Sequence, residues 1–126
     1  AAKLLQLYLD NESDCSPAMQ ANIVEAWAQS ESYALSIYHT ASKMLAGGSI
    51  GSESSLGKIF WSELDHMMHQ TALKILGASA ELSLASKHDS AKWIKGFMFS
   101  YAGPIYAGTN EIQKNIIAER LLGLPK

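Results

Sequence analysis

The apolar residues of this chain recur every three or four positions in successive segments, and no stretch alternates apolar and polar residues as a strand would. Such spacing is typical of helices that pack one face on a core. The first segment is Ala1 to Asp10, and the second begins at Ser16 and Pro17, a capping hydroxyl followed by proline at the first helical position. The second segment ends at Gly47. Its predicted buried seam consists of Ile23, Trp27, Ala34, Ile37, Ala41 and Met44.

Two further helices are predicted in the middle of the chain. The first has apolar residues at helical spacing from Leu56 to Ile75, and Gly77 is placed to end it. No element is predicted for residues 79–87, where the pattern is less regular. Asp89 or Ser90 is placed to cap the second of these helices.

The C-terminal segment begins where Gly103 and Pro104 end the preceding helix. A short irregular run follows, and Thr109 is placed to cap a final helix that Gly123 ends. The unpaired amides at such a helix start can hold an anion. The apolar stripe predicted to be buried along this helix consists of Ile112, Ile116, Ile117, Leu121 and Leu124.

These helices, joined by short connections, predict an all-α protein built as an antiparallel helical bundle. A chain of 126 residues of which 48% are apolar can form one core and is too short for two. We therefore expect a single domain over residues 1–126. Because the first helix starts in mid-pattern, without a cap or an initiator methionine, we interpret the chain as truncated or processed.

Charge and composition narrow the kinds of partner. The formal net charge is -2 and there is no basic tract, which argues against nucleic acid or an anionic membrane surface. We find no apolar run of bilayer-spanning length and no signal peptide. The single cysteine, Cys15, excludes an internal disulfide, and its acidic neighbours raise the thiol pKa and so oppose a nucleophilic role. The sequence therefore predicts a soluble, cytoplasmic protein.

One pair of residues has the spacing of a metal-ligand motif. Glu63 and His66 lie three positions apart on one predicted helix, as in di-iron bundles. Such a site needs a second copy of the motif and two further glutamates on facing helices, and the sequence has no second copy. We therefore predict no metal site, and we interpret Asp65 and His69 as part of a solvated or subunit-facing helix surface.

The most distinctive motif lies in the C-terminal segment. It reads Tyr106-Ala107-Gly108-Thr109-Asn110-Glu111-Ile112-Gln113 and runs on through Asn115-Ile116-Ile117-Ala118-Glu119-Arg120-Leu121-Leu122-Gly123. In order and spacing this stretch closely resembles the C-terminal signature of flavin-dependent acyl-CoA dehydrogenases. The apolar pattern upstream is compatible with the C-terminal domain of that family, so the resemblance extends over the chain. It implies an antiparallel, up-and-down four-helix bundle. Because members of the family carry further domains ahead of this bundle, it also implies that the chain is the C-terminal part of a longer one.

The resemblance implies an FAD enzyme that oxidises an acyl-CoA to its trans-2-enoyl thioester and passes the electrons to an electron-transfer flavoprotein. It also implies a homo- or hetero-tetramer, in which this bundle carries part of the flavin site and part of the subunit interface. By the same resemblance, Thr109 and Glu111 contact the adenosine diphosphate portion of FAD. Tyr106, Ala107 and Gly108 lie beside the acyl thioester.

Two features depart from the family pattern. The position that often holds the glutamate base is occupied by Ala107, and a methyl group cannot remove a proton. No catalytic residue is therefore predicted in this chain. In some branches of the family a small residue stands here and an earlier helix supplies the glutamate, which would place the base upstream of Ala1; the alternative is a subunit whose active site has decayed. The second departure is that residues 76–82 keep only Gly77 of a glycine-rich loop that commonly binds the flavin pyrophosphate, so flavin binding by this loop is not expected.

Two hypotheses about function follow. In the first, the chain is the C-terminal domain of an acyl-CoA dehydrogenase of fatty acid metabolism, which is active when intact, whereas the isolated chain is inactive. In the second, it is a non-catalytic bundle subunit or assembly module that pairs with a catalytic acyl-CoA dehydrogenase chain, as Ala107 and the missing glycine-rich loop suggest. Neither acyl chain length nor substrate class is encoded in these residues, because the acyl pocket lies mostly outside them.

Overall fold

The computed structural model of the protein describes residues 1–82 and 90–125, and in these residues it is helical without strands. A 3-10 turn, Glu12–Asp14, joins the first two helices, and a π-helical turn, Ile117–Leu121, follows the last. The all-α class predicted from the sequence is confirmed. The α-helices of the described residues are α1 (Ala2–Asp10), α2 (Pro17–Leu45), α3 (Ser54–Leu76), α4 (Ala78–Leu82), α5 (Ser90–Ser100) and α6 (Asn110–Ile116).

Capping residues set the helix ends where the sequence predicted them. Ser16 caps α2, since its Oγ accepts a hydrogen bond of 3.3 Å from the backbone amide of Met19. Gly77 ends α3 with a φ of 52°, a left-handed value that glycine adopts readily. The candidate cap Asp89 lies outside the described residues, and α5 begins at Ser90.

Helix α3 is the centre of the fold, because each of the other five described helices contacts it. Helix α5 runs antiparallel to it, so that His66 meets Ser100 while His69, one turn later, meets Trp93. The main core lies among α1, α2 and the C-terminal part of α3. Its buried members are Leu4, Tyr8, Ile23, Ala26, Ala72 and Ile75.

Helix α4 was not predicted from the sequence, which left residues 79–87 without an element. The helix starts directly after Gly77, and its Ala80 is buried. A helix of five residues makes little more than one turn, so it cannot show the repeated apolar spacing by which longer helices are recognised. Residues 83–89, which include the rest of that segment, lie outside the described residues.

The apolar seam predicted along α2 is buried only near the start of the helix. Ile23 is buried, whereas Trp27, Ile37 and Met44 are between 43% and 52% exposed, and Ala41 is exposed as well. The prediction was wrong for Trp27 and for the seam residues of the outer half of α2. Helix α2 has 29 residues, and the nine-residue α1 packs only against its beginning. The outer half of α2 packs against α3 on one side and is exposed on the other.

None of the described helices combines the length and the hydropathy that a membrane span requires.

Candidate functional site

The motif singled out in the sequence forms a looped segment between α5 and α6, and this segment lies against α3. Tyr106 is placed beside Trp61 of α3 and Phe99 of α5, with ring centroids 6.0 and 6.5 Å apart. The tyrosine nevertheless keeps 41% of its surface exposed. The segment therefore offers an aromatic side chain that is held in place by two helices and is open on its outer side.

Two consecutive residues of this segment have left-handed backbone conformations. The φ of Ala107 is 54° and that of Gly108 is 87°. Glycine adopts such values freely, but the Cβ of an alanine makes them cost about 1–2 kcal/mol. The conformation is held by Gln113 of α6, whose Nε2 donates a hydrogen bond of 2.9 Å to the Ala107 carbonyl. A Cβ at Gly108 would lie 2.8 Å from that same Nε2, so glycine also leaves room for the bond.

We expect Ala107→Gly to raise the free energy of unfolding by about 1 kcal/mol, because glycine removes the left-handed penalty and keeps the carbonyl that Gln113 binds. The control is Ala28→Gly at an exposed position inside α2, which should lower the same free energy by about 0.5–1 kcal/mol. Urea unfolding of the wild type and both variants makes the comparison. Equal losses at the two positions would show that Ala107 carries no strain.

Thr109 caps α6 as predicted, since its Oγ accepts a hydrogen bond of 3.3 Å from the Ile112 amide. The pKa of the Glu111 carboxyl is lowered, first by the backbone amide of Glu111 itself and then by a hydrogen bond from the Thr109 hydroxyl. The positive charges of Lys114 and Lys58 act in the same direction. Glu111 is therefore a carboxylate at neutral pH, and its exposed oxygens can only accept hydrogen bonds.

Asn110, which the sequence did not single out, is buried and only 5% exposed. Its side-chain amide joins two residues of α3: Oδ1 accepts a bond of 2.7 Å from Lys58 Nζ, and Nδ2 donates one of 3.1 Å to Ser62 Oγ. Its backbone amide donates to the Pro104 carbonyl over 2.9 Å. The one sequence signal for this network is the spacing of four between Lys58 and Ser62, which puts both on one side of α3.

The apolar stripe predicted for the last helix is not buried in the described part of the chain. Ile112, Leu121 and Leu124 are about half exposed, while Ile116 and Ile117 are partly buried. Helix α6 has only seven residues and packs on α3, so its short length leaves much of the stripe facing away from that contact. Within this chain the predicted stripe is therefore buried only in part, and its packing against other subunits stays a prediction.

His66 makes structural hydrogen bonds within the described chain. Ser100 Oγ donates to the Phe97 carbonyl over 2.6 Å, so it accepts the bond of 2.8 Å that joins it to His66 Nδ1. Gln70 Nε2 then donates to His66 Nε2 over 2.9 Å. Both ring nitrogens are used, and Glu63 is exposed. The residues that the structure describes contain no group of three or more His, Cys, Asp or Glu side chains suited to a metal ion.

The thiol of Cys15 lies between α1 and α2 in a partly buried position. Burial raises its pKa, and the carboxylates of Asp14 and Glu12 raise it further. The thiolate form is therefore disfavoured at neutral pH, in the direction that the sequence predicted.

A groove of about 1020 Å³ runs between the outer half of α2 and the first half of α3. Tyr33 and Phe60 stack along it with centroids 5.9 Å apart, and an ion pair between Lys43 and Glu53 also lines it. Lys58 belongs to its wall as well. This lysine is therefore shared between the groove and the start of α6.

Comparison with known proteins gives a consistent result. The family described as "Acyl-CoA dehydrogenase, C-terminal domain" matches residues 15–122. Acyl-CoA dehydrogenase IpdE1 of Mycobacterium tuberculosis is 27% identical over an alignment of 128 positions, which covers 99% of this chain and 31% of that protein. Acyl-CoA dehydrogenase IpdE1 of Mycolicibacterium smegmatis is 29% identical over 113 residues, which cover 87% of this chain and 26% of that protein. The chain thus spans less than a third of the length of these curated relatives. No solved structure matches it.

Proposed function

The chain belongs to the acyl-CoA dehydrogenase family, of which it contains the C-terminal domain, and from this premise we propose that it is part of an FAD enzyme that oxidises acyl-CoA thioesters to trans-2-enoyl-CoA. The observation that most supports the proposal is the backbone conformation of the motif and the hydrogen bonds that hold it. A strained turn at Ala107 leads into a helix that Thr109 caps and that buried Asn110 ties to α3. Backbone strain that persists under several hydrogen bonds is typical of functional segments.

The side chains at the start of α6 fit one part of FAD better than another. Glu111 is an exposed carboxylate, so it repels a phosphate and accepts hydrogen bonds from hydroxyl or amino groups. In the adenosine diphosphate portion of FAD, such donors are the ribose hydroxyls and the adenine amino group. We therefore place Thr109 and Glu111 against the ribose or the adenine ring, and we assign the phosphates to groups other than Glu111.

In residues 77–82, the part of the segment after α3 that the structure describes, we propose no alternative phosphate site. Where the family commonly has a glycine-rich loop, α4 begins directly after Gly77, and the Ala80 amide donates to the Gly77 carbonyl over 3.1 Å. An amide that is used inside a helical turn is not available to a ligand. The expectation that this segment does not bind the flavin pyrophosphate is therefore kept as part of the proposal.

In the proposed reaction, FAD supplies the acceptor for the hydride that leaves the β-carbon of the acyl chain. The role of this chain is to position and to enclose: Tyr106, Ala107 and Gly108 lie beside the acyl thioester and keep water away from one side of it. The methyl group of Ala107 cannot take the α-proton. We therefore assign that proton to a carboxylate outside this chain.

The same proposal covers the wider organisation of the protein. It comprises a single domain over residues 1–126 with the core of an up-and-down four-helix bundle, assembly as a homo- or hetero-tetramer, and electron transfer to an electron-transfer flavoprotein in the cytoplasm. Apolar residues that stay exposed along α6 and the turn after it support a role in subunit contacts. They are Ile112, Leu121, Leu122 and Leu124.

Flavin titration of the natural protein, purified in its assembled form, tests the proposal. We expect saturable, stoichiometric FAD binding and reduction of an electron acceptor that depends on acyl-CoA. The 126-residue chain alone should show no such reduction, because it lacks the base. Natural protein that takes up no stoichiometric flavin would favour the non-catalytic assembly module instead. Activity of the 126-residue chain alone would show that the base has been misassigned.

A further inference from the structure

Lys58 makes a contact that an ordinary surface lysine does not make. It lies in the first half of α3 and is partly buried, and its Nζ donates a hydrogen bond of 2.7 Å to Oδ1 of Asn110, 52 positions further along the chain. Hydrogen bonds from a charged donor are shorter and stronger than those between neutral groups. The bond therefore holds the first residue of α6 on α3.

The other end of the Asn110 amide contacts Ser62. Ser62 Oγ lies 2.9 Å from the Ile59 carbonyl and 3.3 Å from Asn110 Oδ1, and either oxygen can take its one proton. Its lone pairs accept the bond of 3.1 Å from Asn110 Nδ2. Rotation of the amide by half a turn would place the Nδ2 protons against the Lys58 ammonium. The charge of Lys58 thus fixes the orientation of this amide, and both Oδ1 and Nδ2 have a hydrogen-bond partner.

Both ends of the motif segment meet at Ser62. At the start, a Cβ added to Gly103 would lie 3.3 Å from the Ser62 Cβ, so the backbone passes close to this serine. At the end, Asn110 binds the Ser62 hydroxyl and donates its backbone amide to Pro104. Residues 103–110 therefore form a closed segment anchored at one point of α3, and Lys58 lies one turn from that point.

The charge of Lys58 also reaches the side chain that follows Asn110. Lys58 and Lys114 both contribute to the lowered pKa of Glu111, but only Lys58 also holds the segment on α3 through Asn110. Lys114 is exposed on α6. The two lysines therefore separate the effect of a nearby positive charge from the effect of the bond to Asn110.

From this arrangement we infer that Lys58 is a positioning residue for the cofactor: acting through Asn110, it fixes the start of α6 so that Thr109 and Glu111 face the adenosine part of FAD. The inference rests on the proposed function. It assigns a role to a residue outside the motif, on a different helix from the groups that would contact the ligand. Its own effect is on affinity for FAD and not on the chemical step.

The test compares Lys58→Met with Lys114→Met in the natural assembled protein. Each variant removes one positive charge near Glu111, but only the first removes the bond to Asn110. We expect Lys58→Met to raise the dissociation constant of FAD about tenfold, which is the loss of one charged hydrogen bond, and Lys114→Met to change it less than threefold. Activity of Lys58→Met at saturating FAD should return to the wild-type level, and Lys58→Arg, which keeps a charged donor, should recover much of the affinity.

A second measurement does not depend on catalysis. Hydrogen exchange of the flavin-free protein should be faster at the Asn110 and Ile112 amides in Lys58→Met and unchanged in Lys114→Met. If wild-type protein binds FAD and Lys58→Met binds it equally well, the inference is overturned and the proposed function stands. If Lys58→Met loses activity that saturating FAD does not restore, Lys58 acts on something other than cofactor position, and the inference is again overturned. If the wild-type protein binds no FAD, both are overturned together.

Discussion

Leu4→Ala is expected to lower the free energy of unfolding by about 3 kcal/mol, the largest effect that we predict for this chain. Leu4 is 1% exposed and packs in the core with Tyr8 of its own helix and with Ile23 and Ile75 of the neighbouring ones. Truncation to alanine removes buried methyl groups and leaves a cavity. The packed helices around the cavity can relax only in part, so the free-energy cost of the cavity adds to that of the lost methyl burial.

The control for this prediction lies on the same helix. Leu9 is 52% exposed, and Leu9→Ala should cost less than about 1 kcal/mol, since few of its contacts are lost. Chemical denaturation followed by circular dichroism compares the two variants. Helix α1 precedes residues 15–122, which the family match covers, so a large loss for Leu4→Ala would show that α1 belongs to the same cooperative unit. Two equally small losses would show that α1 is not docked on the core.

Gly96→Ala is expected to lower the free energy of unfolding by about 1–3 kcal/mol, because α5 approaches α3 too closely for a side chain at this position. A Cβ at Gly96 would lie 2.2 Å from Nε2 of His69. The imidazole cannot simply turn aside. Its Nδ1 donates to the Asp65 carbonyl over 2.8 Å, and its edge meets the ring of Trp93 at a centroid distance of 5.6 Å.

The same substitution at another helical glycine should have the opposite sign. A Cβ at Gly57 of α3 has nothing within 4 Å, so Gly57→Ala should raise the free energy of unfolding by up to about 1 kcal/mol through helix propensity alone. Thermal unfolding of both variants shows the two signs. The double variant His69→Ala with Gly96→Ala should be destabilised by less than the sum of the two single variants, because the ring that the new Cβ would meet is gone. A stabilising Gly96→Ala would show that the two helices lie further apart.

The fold could be predicted from the sequence where a capping residue and a change of periodicity coincide. Ser16, Gly77 and Thr109 each end or begin a helix at the predicted position. Burial could be predicted less well. An apolar seam shows which side of α2 prefers to be covered, but the number of helices that cover it depends on the length of α1 and the course of α3, which no local pattern contains.

The position of the candidate site could be predicted from its motif, but the residues that hold the motif in place could not. The spacing of Tyr106 to Gln113 indicated the segment and the cap at Thr109. Lys58 and Ser62, which hold Asn110, lie about fifty positions earlier, and a link between residues so distant in sequence depends on how α6 packs against α3. The left-handed φ of Ala107 was equally hidden, because alanine is a residue that favours helix and gives no sign of such a turn.

The hydrogen bond from Gln113 to Ala107 affects which substitutions position 107 can accept during evolution. The acceptor is a main-chain carbonyl, which every amino acid has, so the bond does not depend on the side chain at position 107. The φ of 54° restricts the position against β-branched residues but tolerates unbranched ones at a modest cost. A lineage could therefore acquire or lose an acidic group here through one substitution while the turn keeps its shape. At position 107 the backbone turn can therefore be conserved whether or not the side chain is acidic.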